Sequence, residues 1–276
     1  MARPRRRIWG LRSLALAAGV AGSGPALCDP TPEPSSQVAQ VDLQTPFATR
    51  SPWRLIVTQG PPAEDYGGNP APGALQMCLE QRPAGPCMSD PLATPQAPGS
   101  DSFANWEPHY LHLAKPVYPQ ARSAPPLLLV VTASMHAGDG GQVVVTQLLN
   151  YDQAKDRFER VYRHATGTNN NEEVRFIAQG ALEGSVISAD PTSDAPYGYW
   201  IVVSRLTPAR TYRQVLRYRS ATHYNDGNSL AVIDSEMPNI ERRLGLWSPG
   251  SPLPLPTDKA KPCPRPHLKQ TELWCE

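Results

Sequence analysis

The distribution of proline constrains the fold of this chain more than any other feature of its sequence. The chain contains 32 prolines, yet none lies between Leu127 and Asp190, and the next three stand among Asp, Ser, Thr and Gly. Proline cannot donate a hydrogen bond to a β-ladder and is confined to sheet edges, bulges and turns. The stretch from Leu127 to Met237 is therefore where we expect continuous hydrogen-bonded structure.

Short runs rich in Val, Ile, Tyr, Phe and Thr alternate in this stretch with clusters of Gly, Asn and Asp, a pattern typical of strands and turns. It predicts eight strands, at Leu127–Ser134, Gln142–Tyr151, Arg157–His164, Glu172–Ala178, Ser185–Ala189, Tyr199–Leu206, Tyr212–His223 and Ser229–Asp234. Tyr199–Leu206 is apolar on both faces, which indicates strands that are buried on both sides. We therefore predict an all-β fold. In it, an antiparallel meander of about eight strands forms two stacked sheets that resemble propeller blades or a sandwich, with a single-layer barrel as the alternative.

The segments around this meander are rich in proline and divide the rest of the chain. Residues 29–51 are interpreted as a flexible lead-in, and 52–126 as a Pro-rich β segment with strands at Trp53–Thr58, Ala74–Glu80 and His109–Ala114. The central region, 127–245, ends in a short helix that starts near Asp234 and stops at Gly245. Residues 246–276 are predicted to form a Pro-rich C-terminal strap that contains Cys263 and Cys275 and is extended from Trp247 to Pro266.

The N-terminus and the cysteines indicate export. A basic region with Arg3, Arg5, Arg6 and Arg7 precedes an apolar stretch from Ser13 to Ala21 and then small residues, the layout of a secretory signal over residues 1–28. Acylation of Cys28, as in a lipoprotein, is the alternative. Outside the signal the cysteines form two local pairs, and in an oxidising compartment the simplest of three connectivities is Cys78–Cys87 and Cys263–Cys275. We expect a periplasmic or secreted protein without an integral membrane span, since no later run is long enough to cross a bilayer.

Charge and motifs exclude several classes of function. The formal net charge is only +1, which gives no argument for a nucleic-acid partner. The sequence contains no G-x-S-x-G, no phosphate-binding loop, no H-E-x-x-H and no dinucleotide fingerprint. We therefore predict no cofactor and assign no catalytic residues.

The candidate site comes from the order of the strands. Sequential antiparallel strands reverse direction, so every second connection lies at the same end of the sheet. Four connections at one end are rich in His, Asp, Asn and Gly. The ligand-binding candidates there are His136, Asp139, His164, Asn169, Asn170, Asn171, His223 and Asp226. Such residues suit calcium or the hydroxyl groups of a sugar or another polar ligand. His with carboxylate also suits a metal, and Asp-Gly or Asn-Gly can simply form turns.

A second pattern is basic. Arg213, Arg217 and Arg219 are predicted to share one face of a strand, with Val215 between them. Arginine binds oxyanions through two parallel hydrogen bonds, so this face fits an anionic glycan. The alternative is a solvated face paired with glutamates.

The sequence resembles a group of exported proteins through three segments: Arg217–Thr222, the Asp226-Gly227-Asn228 turn and Asp234–Pro238. These proteins come from Gram-negative bacteria and have no assigned function. The resemblance covers residues 50–256, implies export and brings no catalytic residues. We therefore expect an exported, non-catalytic β-domain that binds a glycan or an envelope protein partner. The alternatives are a periplasmic hydrolase with a His/Asp or metal site at the same loops, and a structural component of an envelope assembly.

Overall fold

A computed structural model describes residues 35–81, 85–93, 107–120, 124–254 and 263–276 of the chain. The predicted secretory signal, including Cys28, lies outside these residues. The strands are β1 (Ser36–Asp42), β2 (Trp53–Gln59), β3 (Ala63–Glu64), β4 (Pro70–Ala71), β5 (Leu75–Gln81), β6 (Tyr110–Val117), β7 (Leu127–Ala133), β8 (Val144–Asp152), β9 (Arg157–Thr166), β10 (Glu173–Phe176), β11 (Val186–Pro191), β12 (Gly198–Leu206), β13 (Tyr212–His223), β14 (Pro266–Lys269) and β15 (Glu272–Cys275). The α-helices are α1 (Gln44–Phe47) and α2 (Val232–Arg243), and a short 3₁₀ helix spans Asn169–Asn171.

Three antiparallel sheets make up most of the fold. Sheet 1 has the order β1-β2-β5, sheet 2 the order β6-β7-β8-β9 and sheet 3 the order β10-β11-β12-β13. The hairpins β3-β4 and β14-β15 form separate two-stranded sheets. The predicted all-β fold with two four-stranded antiparallel sheets is confirmed, and sheet 1 adds a third. The two larger sheets begin one strand earlier than predicted, because β6 pairs with β7.

Sheet 2 is the central layer and is buried on both faces. Leu128 and Val130 pack with sheet 1, whereas Leu127 and Leu129 pack with sheet 3. This alternation explains the continuous apolar run at the start of β7, since a strand covered on both sides needs no polar face. Sheet 3 packs its other face against α2. The layers therefore follow the order sheet 1, sheet 2, sheet 3 and α2.

Asp156, in the turn between β8 and β9, joins sheet 2 to sheet 1. Its carboxylate accepts hydrogen bonds from Ser51 Oγ (2.6 Å), Trp53 Nε1 (2.9 Å), Gln81 Nε2 (3.2 Å) and Tyr151 Oη. Burial raises the pKa of Asp156, but the hydrogen bonds from Ser51, Tyr151 and Trp53 outweigh burial and hold it below its usual value. The ionised carboxylate is thus a stable link between the layers.

Helix α2 covers sheet 3 with Val232, Ile233, Met237 and Ile240, all of them buried. The predicted strand at Ser229–Asp234 is wrong, because Val232 and Ile233 form the first turn of this helix. A short apolar run is compatible with a buried strand or with one face of a helix, so its periodicity could not decide between them.

Glu236 fixes α2 to β13. Its side chain is fully buried and accepts five hydrogen bonds, from Tyr218 Oη (2.7 Å), Ala221 N (2.9 Å), Thr222 N (2.7 Å), Thr222 Oγ1 (2.8 Å) and Asn239 Nδ2 (3.1 Å). Burial, and then the charge of Glu236, raise the pKa of the Tyr218 hydroxyl. A buried carboxylate persists only where its oxygens have partners, and this one has donors on both.

The described parts of both flanks contain strands that the sequence did not indicate. In place of a flexible lead-in, residues 35–51 contain β1, which pairs with β2, and the short helix α1. At the end of the predicted C-terminal strap, Pro266–Lys269 and Glu272–Cys275 form the hairpin β14-β15. The predicted disulfides Cys78–Cys87 and Cys263–Cys275 are both present. Neither helix in the described residues has the length and apolar character needed to cross a bilayer.

Candidate functional site

The connections after β7, β9, β11 and β13 lie at one end of the sheets, as the alternation of strand direction requires. We call this the four-loop end; it comprises residues 134–143, 167–172, 192–197 and 224–231. Direct contacts join its loops: Gln142 N donates to Thr168 Oγ1 (2.8 Å), and Asn169 Nδ2 donates to Asp139 Oδ2 (2.9 Å). The Tyr199 hydroxyl, whose pKa is raised to about 12 chiefly by burial, donates to Asn170 O at 2.7 Å.

The first loop is shaped by two of the predicted site residues. Asp139 Oδ1 accepts the backbone N–H of Gly141 at 2.9 Å, and this bond, followed by that from Asn169, lowers the pKa of Asp139. His136 Nδ1 lies 3.1 Å from Gly140 O, and its ring centroid lies 5.8 Å from that of Tyr110. Both side chains therefore contribute to the conformation of the turn.

The asparagines of the second loop also have structural partners. Asn170 and Asn171 adopt left-handed backbone angles, with φ of 62° and 55°. Asparagine tolerates this region better than most residues, because its short side chain bonds locally. Asn169 bridges to Asp139, so these residues hold the first two loops together.

His164 lies within β9 and pairs with an aspartate that the sequence did not single out. Its Nε2 is 2.7 Å from Asp190 Oδ1 on β11, and Ser188 Oγ donates to Asp190 Oδ2 at 2.9 Å. The imidazole and the carboxylate are 29% and 30% exposed. Because β9 and β11 belong to different sheets, the pair links sheet 2 to sheet 3. The sequence could have suggested this contact only if the stacking of sheet 2 on sheet 3 had been known.

The last loop contains His223 and Asp226. His223 is exposed, and its Nδ1 lies 3.3 Å from Tyr197 O. Asp226 Oδ1 accepts Asn228 N at 2.8 Å, while its Oδ2 is buried without a partner in the described part of the chain. The three histidines each have a separate neighbour. Within the described ranges, no three His, Cys, Asp or Glu side chains come together as a metal site.

Three exposed tyrosines surround these loops, and sequence reasoning missed them. Tyr66, Tyr197 and Tyr224, which we call the tyrosine rim, are 82%, 64% and 52% exposed. Tyr66 belongs to the β3-β4 turn. The carbonyl of Pro72, directly after β4, lies 2.8 Å from His109 Nδ1. His109 N in turn donates to Ala133 O at the end of β7, where the first loop begins. The position of each tyrosine inside a Gly-, Pro- or Asn-rich loop was the sequence feature that could have indicated its exposure.

The predicted arginine face is divided by a β-bulge. Between Val203 and Ser204 the register of β12 and β13 shifts by one residue, which places Val215 in β13 as the extra residue. Arg217 therefore pairs with Val202 and Arg219 with Trp200, which lie on one face of β12. Arg213 pairs with Arg205, which lies on the other face of β12. Because opposite residues share a face, Arg213 lies on the other side of the sheet from Arg217 and Arg219.

Arg219 instead shapes the loop that presents Tyr197. Its guanidinium donates to Asp194 Oδ2 (3.1 Å), to Asp194 O (2.6 Å) and to Pro196 O. Arg217 is exposed and lies over the ring of Trp200, 4.0 Å from its centroid. Arg217 and Arg219 thus have distinct structural partners.

Comparison with known proteins finds no matching family model, no matching curated protein and no matching solved structure. The function of the protein is therefore inferred from the geometry of this chain alone.

Proposed function

We propose that this protein is an exported, non-catalytic β-domain that binds a polar ligand through the four-loop end. The observation that carries the proposal is the tyrosine rim. Tyrosine presents a large, rigid apolar ring with a polar tip and is enriched at binding surfaces. Here three exposed rings stand among loops whose other side chains are mostly His, Asp and Asn. That mixture suits the flat apolar faces and the hydroxyl groups of a glycan, with an envelope protein as the second candidate partner.

Two further features support parts of this proposal. Two short-range disulfides suit an oxidising compartment outside the cytoplasm, which supports export. The candidate side chains of the first two loops are bonded to one another, so those loops are preorganised. A preorganised surface binds with a smaller loss of conformational entropy.

A hydrolytic function receives less support. The His164–Asp190 pair has the chemistry of an acid–base site. The hydroxyl of Ser188, however, donates to Asp190 rather than to the imidazole. Among the described residues, no hydroxyl or thiol is bonded to His164, so the arrangement fits a link between sheets better than a nucleophile and its base.

The proposal is tested by removing the exposed rings while leaving the loop-forming residues intact. The variant Tyr197→Ala/Tyr224→Ala is compared with Val215→Ala, which removes an exposed apolar side chain from β13 outside the loops. Binding of each protein to purified peptidoglycan and lipopolysaccharide is measured by co-sedimentation and calorimetry. We expect the double variant to bind at least about tenfold more weakly, as for the loss of aromatic hot spots, and the control to bind like the parent.

Equal binding by the double variant and the parent would contradict the proposed surface. Failure of the parent to bind either glycan would contradict a glycan ligand. If the parent instead binds a whole envelope extract and protease treatment abolishes that binding, the partner is a protein.

A further inference from the structure

A second candidate site lies at the opposite end of the sheets. A cleft of about 640 Å³ is bordered there by the connections β10–β11 and β12–β13 and, between β6 and β7, by Pro119, Gln120, Ala124 and Pro125. These connections alternate with those of the four-loop end, so strand direction places them at the far end. The side chains that matter for its chemistry are Glu183, Arg205, Leu206, Arg210 and Leu246. Its volume falls within the usual range for small-molecule sites, about 300–1,000 Å³.

One wall of the cleft depends on a glycine. Gly184 has φ of +77°, and a Cβ added there would lie only 2.1 Å from Pro119 O. Glycine is therefore required both for the backbone angle and for the close approach of the two chain segments. Tyr212 Oη donates to Gly184 O at 2.8 Å and holds the same turn. These contacts define the shape of the cleft before any ligand enters.

Arg210 brings a positive charge that neutral groups hold in place. Its Nε donates to Asn150 Oδ1 (2.8 Å) and its Nη2 to Pro125 O (2.8 Å) and Pro126 O (3.3 Å). Burial lowers the pKa of Arg210. Hydrogen bonds from a guanidinium to neutral acceptors are weaker than those to a carboxylate, so the charge of Arg210 is less strongly stabilised. Its Nη1 takes no part in these bonds.

Arg205 adds a second charge to the cleft. It is half-buried, and no hydrogen bond or ion pair joins it to another residue in the described part of the chain. Directly across the strand pair stands Arg213, and like charges in that position destabilise a sheet. Glu183 is the only carboxylate among the described residues that line the cleft, whereas two arginines line it. The cleft therefore has an excess of positive charge.

We propose that this cleft binds a small organic anion, a compound of about monosaccharide size that carries a phosphate or carboxylate group. Arg205 binds two oxygens of the anion through its planar guanidinium, and Arg210 adds Nη1. Leu206 and Leu246 contact the body of the ligand. This site is separate from the tyrosine rim, and neither proposal depends on the other.

Calorimetric titration of the full disulfide-bonded chain tests the proposal. The probes are inorganic phosphate, glucose 6-phosphate and glucuronate, at constant ionic strength with chloride as the reference anion. We expect saturable binding that Arg205→Gln weakens at least about tenfold, the effect of losing a charge-assisted hydrogen bond. Arg205→Lys keeps the positive charge but loses the two parallel N–H donors of the guanidinium. Its affinity should lie between that of the parent and that of Arg205→Gln. Arg213→Gln, which lies outside the lining, should change the affinity less than about threefold, as expected for an exposed charge.

Urea unfolding of each variant confirms that it is folded before it is titrated. Tyr197→Ala/Tyr224→Ala should bind these anions like the parent, so that failure of one proposal leaves the other testable. Tighter binding of glucose 6-phosphate than of phosphate supports a role for the apolar walls, and tighter binding of glucuronate assigns a carboxylate ligand. The proposal is overturned if the parent shows no saturable binding of any of the three anions, or if Arg205→Gln binds them as tightly as the parent.

Discussion

Replacement of Glu236 tests whether a single buried carboxylate fixes α2 to sheet 3. In Glu236→Ala, five donors lose their acceptor. Two of them keep another partner, because Thr222 Oγ1 lies 3.2 Å from Ser235 Oγ and Asn239 Nδ2 lies 3.2 Å from Thr271 Oγ1. The Tyr218 hydroxyl and two backbone N–H groups remain without one. At about 1–3 kcal/mol for each unsatisfied buried donor, we expect a loss of about 5 kcal/mol in the free energy of unfolding.

Two further variants make the measurement specific. Glu236→Gln keeps one oxygen for the two backbone donors and replaces the other with an amide N–H₂, so we expect a smaller loss of about 1–3 kcal/mol. Glu241→Ala is the matched control on the same helix. Burial raises the pKa of Glu241, and we expect a change of less than about 0.5 kcal/mol.

Urea unfolding followed by tryptophan fluorescence gives the free energies. A shift of the midpoint at constant slope reports stability rather than a change in the unfolded state. If Glu236→Ala lowered the free energy of unfolding no more than Glu241→Ala, Glu236 would not fix α2 to sheet 3. This role of Glu236 would also be contradicted if Glu236→Gln were as damaging as Glu236→Ala, because the retained oxygen would then be of no consequence.

Two other predictions concern carboxylates whose pKa values shift in opposite directions. The pKa of Asp156 lies below its ordinary value of 3.8, so its stabilisation is present above that pH and is lost as the pH falls through the lower, folded-state value. Asp156→Asn should destabilise the protein by about 2 kcal/mol at neutral pH, and urea midpoints below pH 3.8 should converge with those of the parent. Burial, and then the charges of Glu236 and Asp226, raise the pKa of Glu272 above its ordinary 4.5. Glu272→Gln should therefore stabilise the protein at neutral pH, with a gain that disappears as the pH falls towards 4.5; a loss at neutral pH would contradict this.

The strands of the central region could be predicted because their signals are local. Proline is excluded from the interior of a sheet, and the turn residues mark where each strand stops. The position of the four loops followed from the same information, since reversal of antiparallel strands is a geometric rule. The disulfides were predicted because each cysteine has a near neighbour in sequence.

Other elements depend on contacts that a sequence does not display. Ser36–Asp42 is a polar segment that becomes a strand because the edge of β2 is available to it. The β14-β15 turn has Gln270 at φ of 60°, where Gly or Asn is the usual signal. The bulge at Val215 was equally hidden, and one extra residue moved Arg213 to the opposite face.

The His164–Asp190 pair shows why the candidate site was only partly predictable. Both residues were near the predicted loops, but their contact depends on how two sheets stack. The tyrosine rim was missed for another reason. An exposed aromatic residue is distinguished from a buried one by its environment, which composition alone does not give.

Burial of sheet 2 on both faces determines how rigidly the first loop of the four-loop end is held. The loop that contains His136 and Asp139 connects β7 to β8, the two inner strands of that sheet. Because these strands stay hydrogen-bonded when an outer layer frays, we expect their amides to exchange with solvent through unfolding of the whole domain. A ligand that binds this loop therefore contacts a surface that local unfolding of the outer layers does not displace.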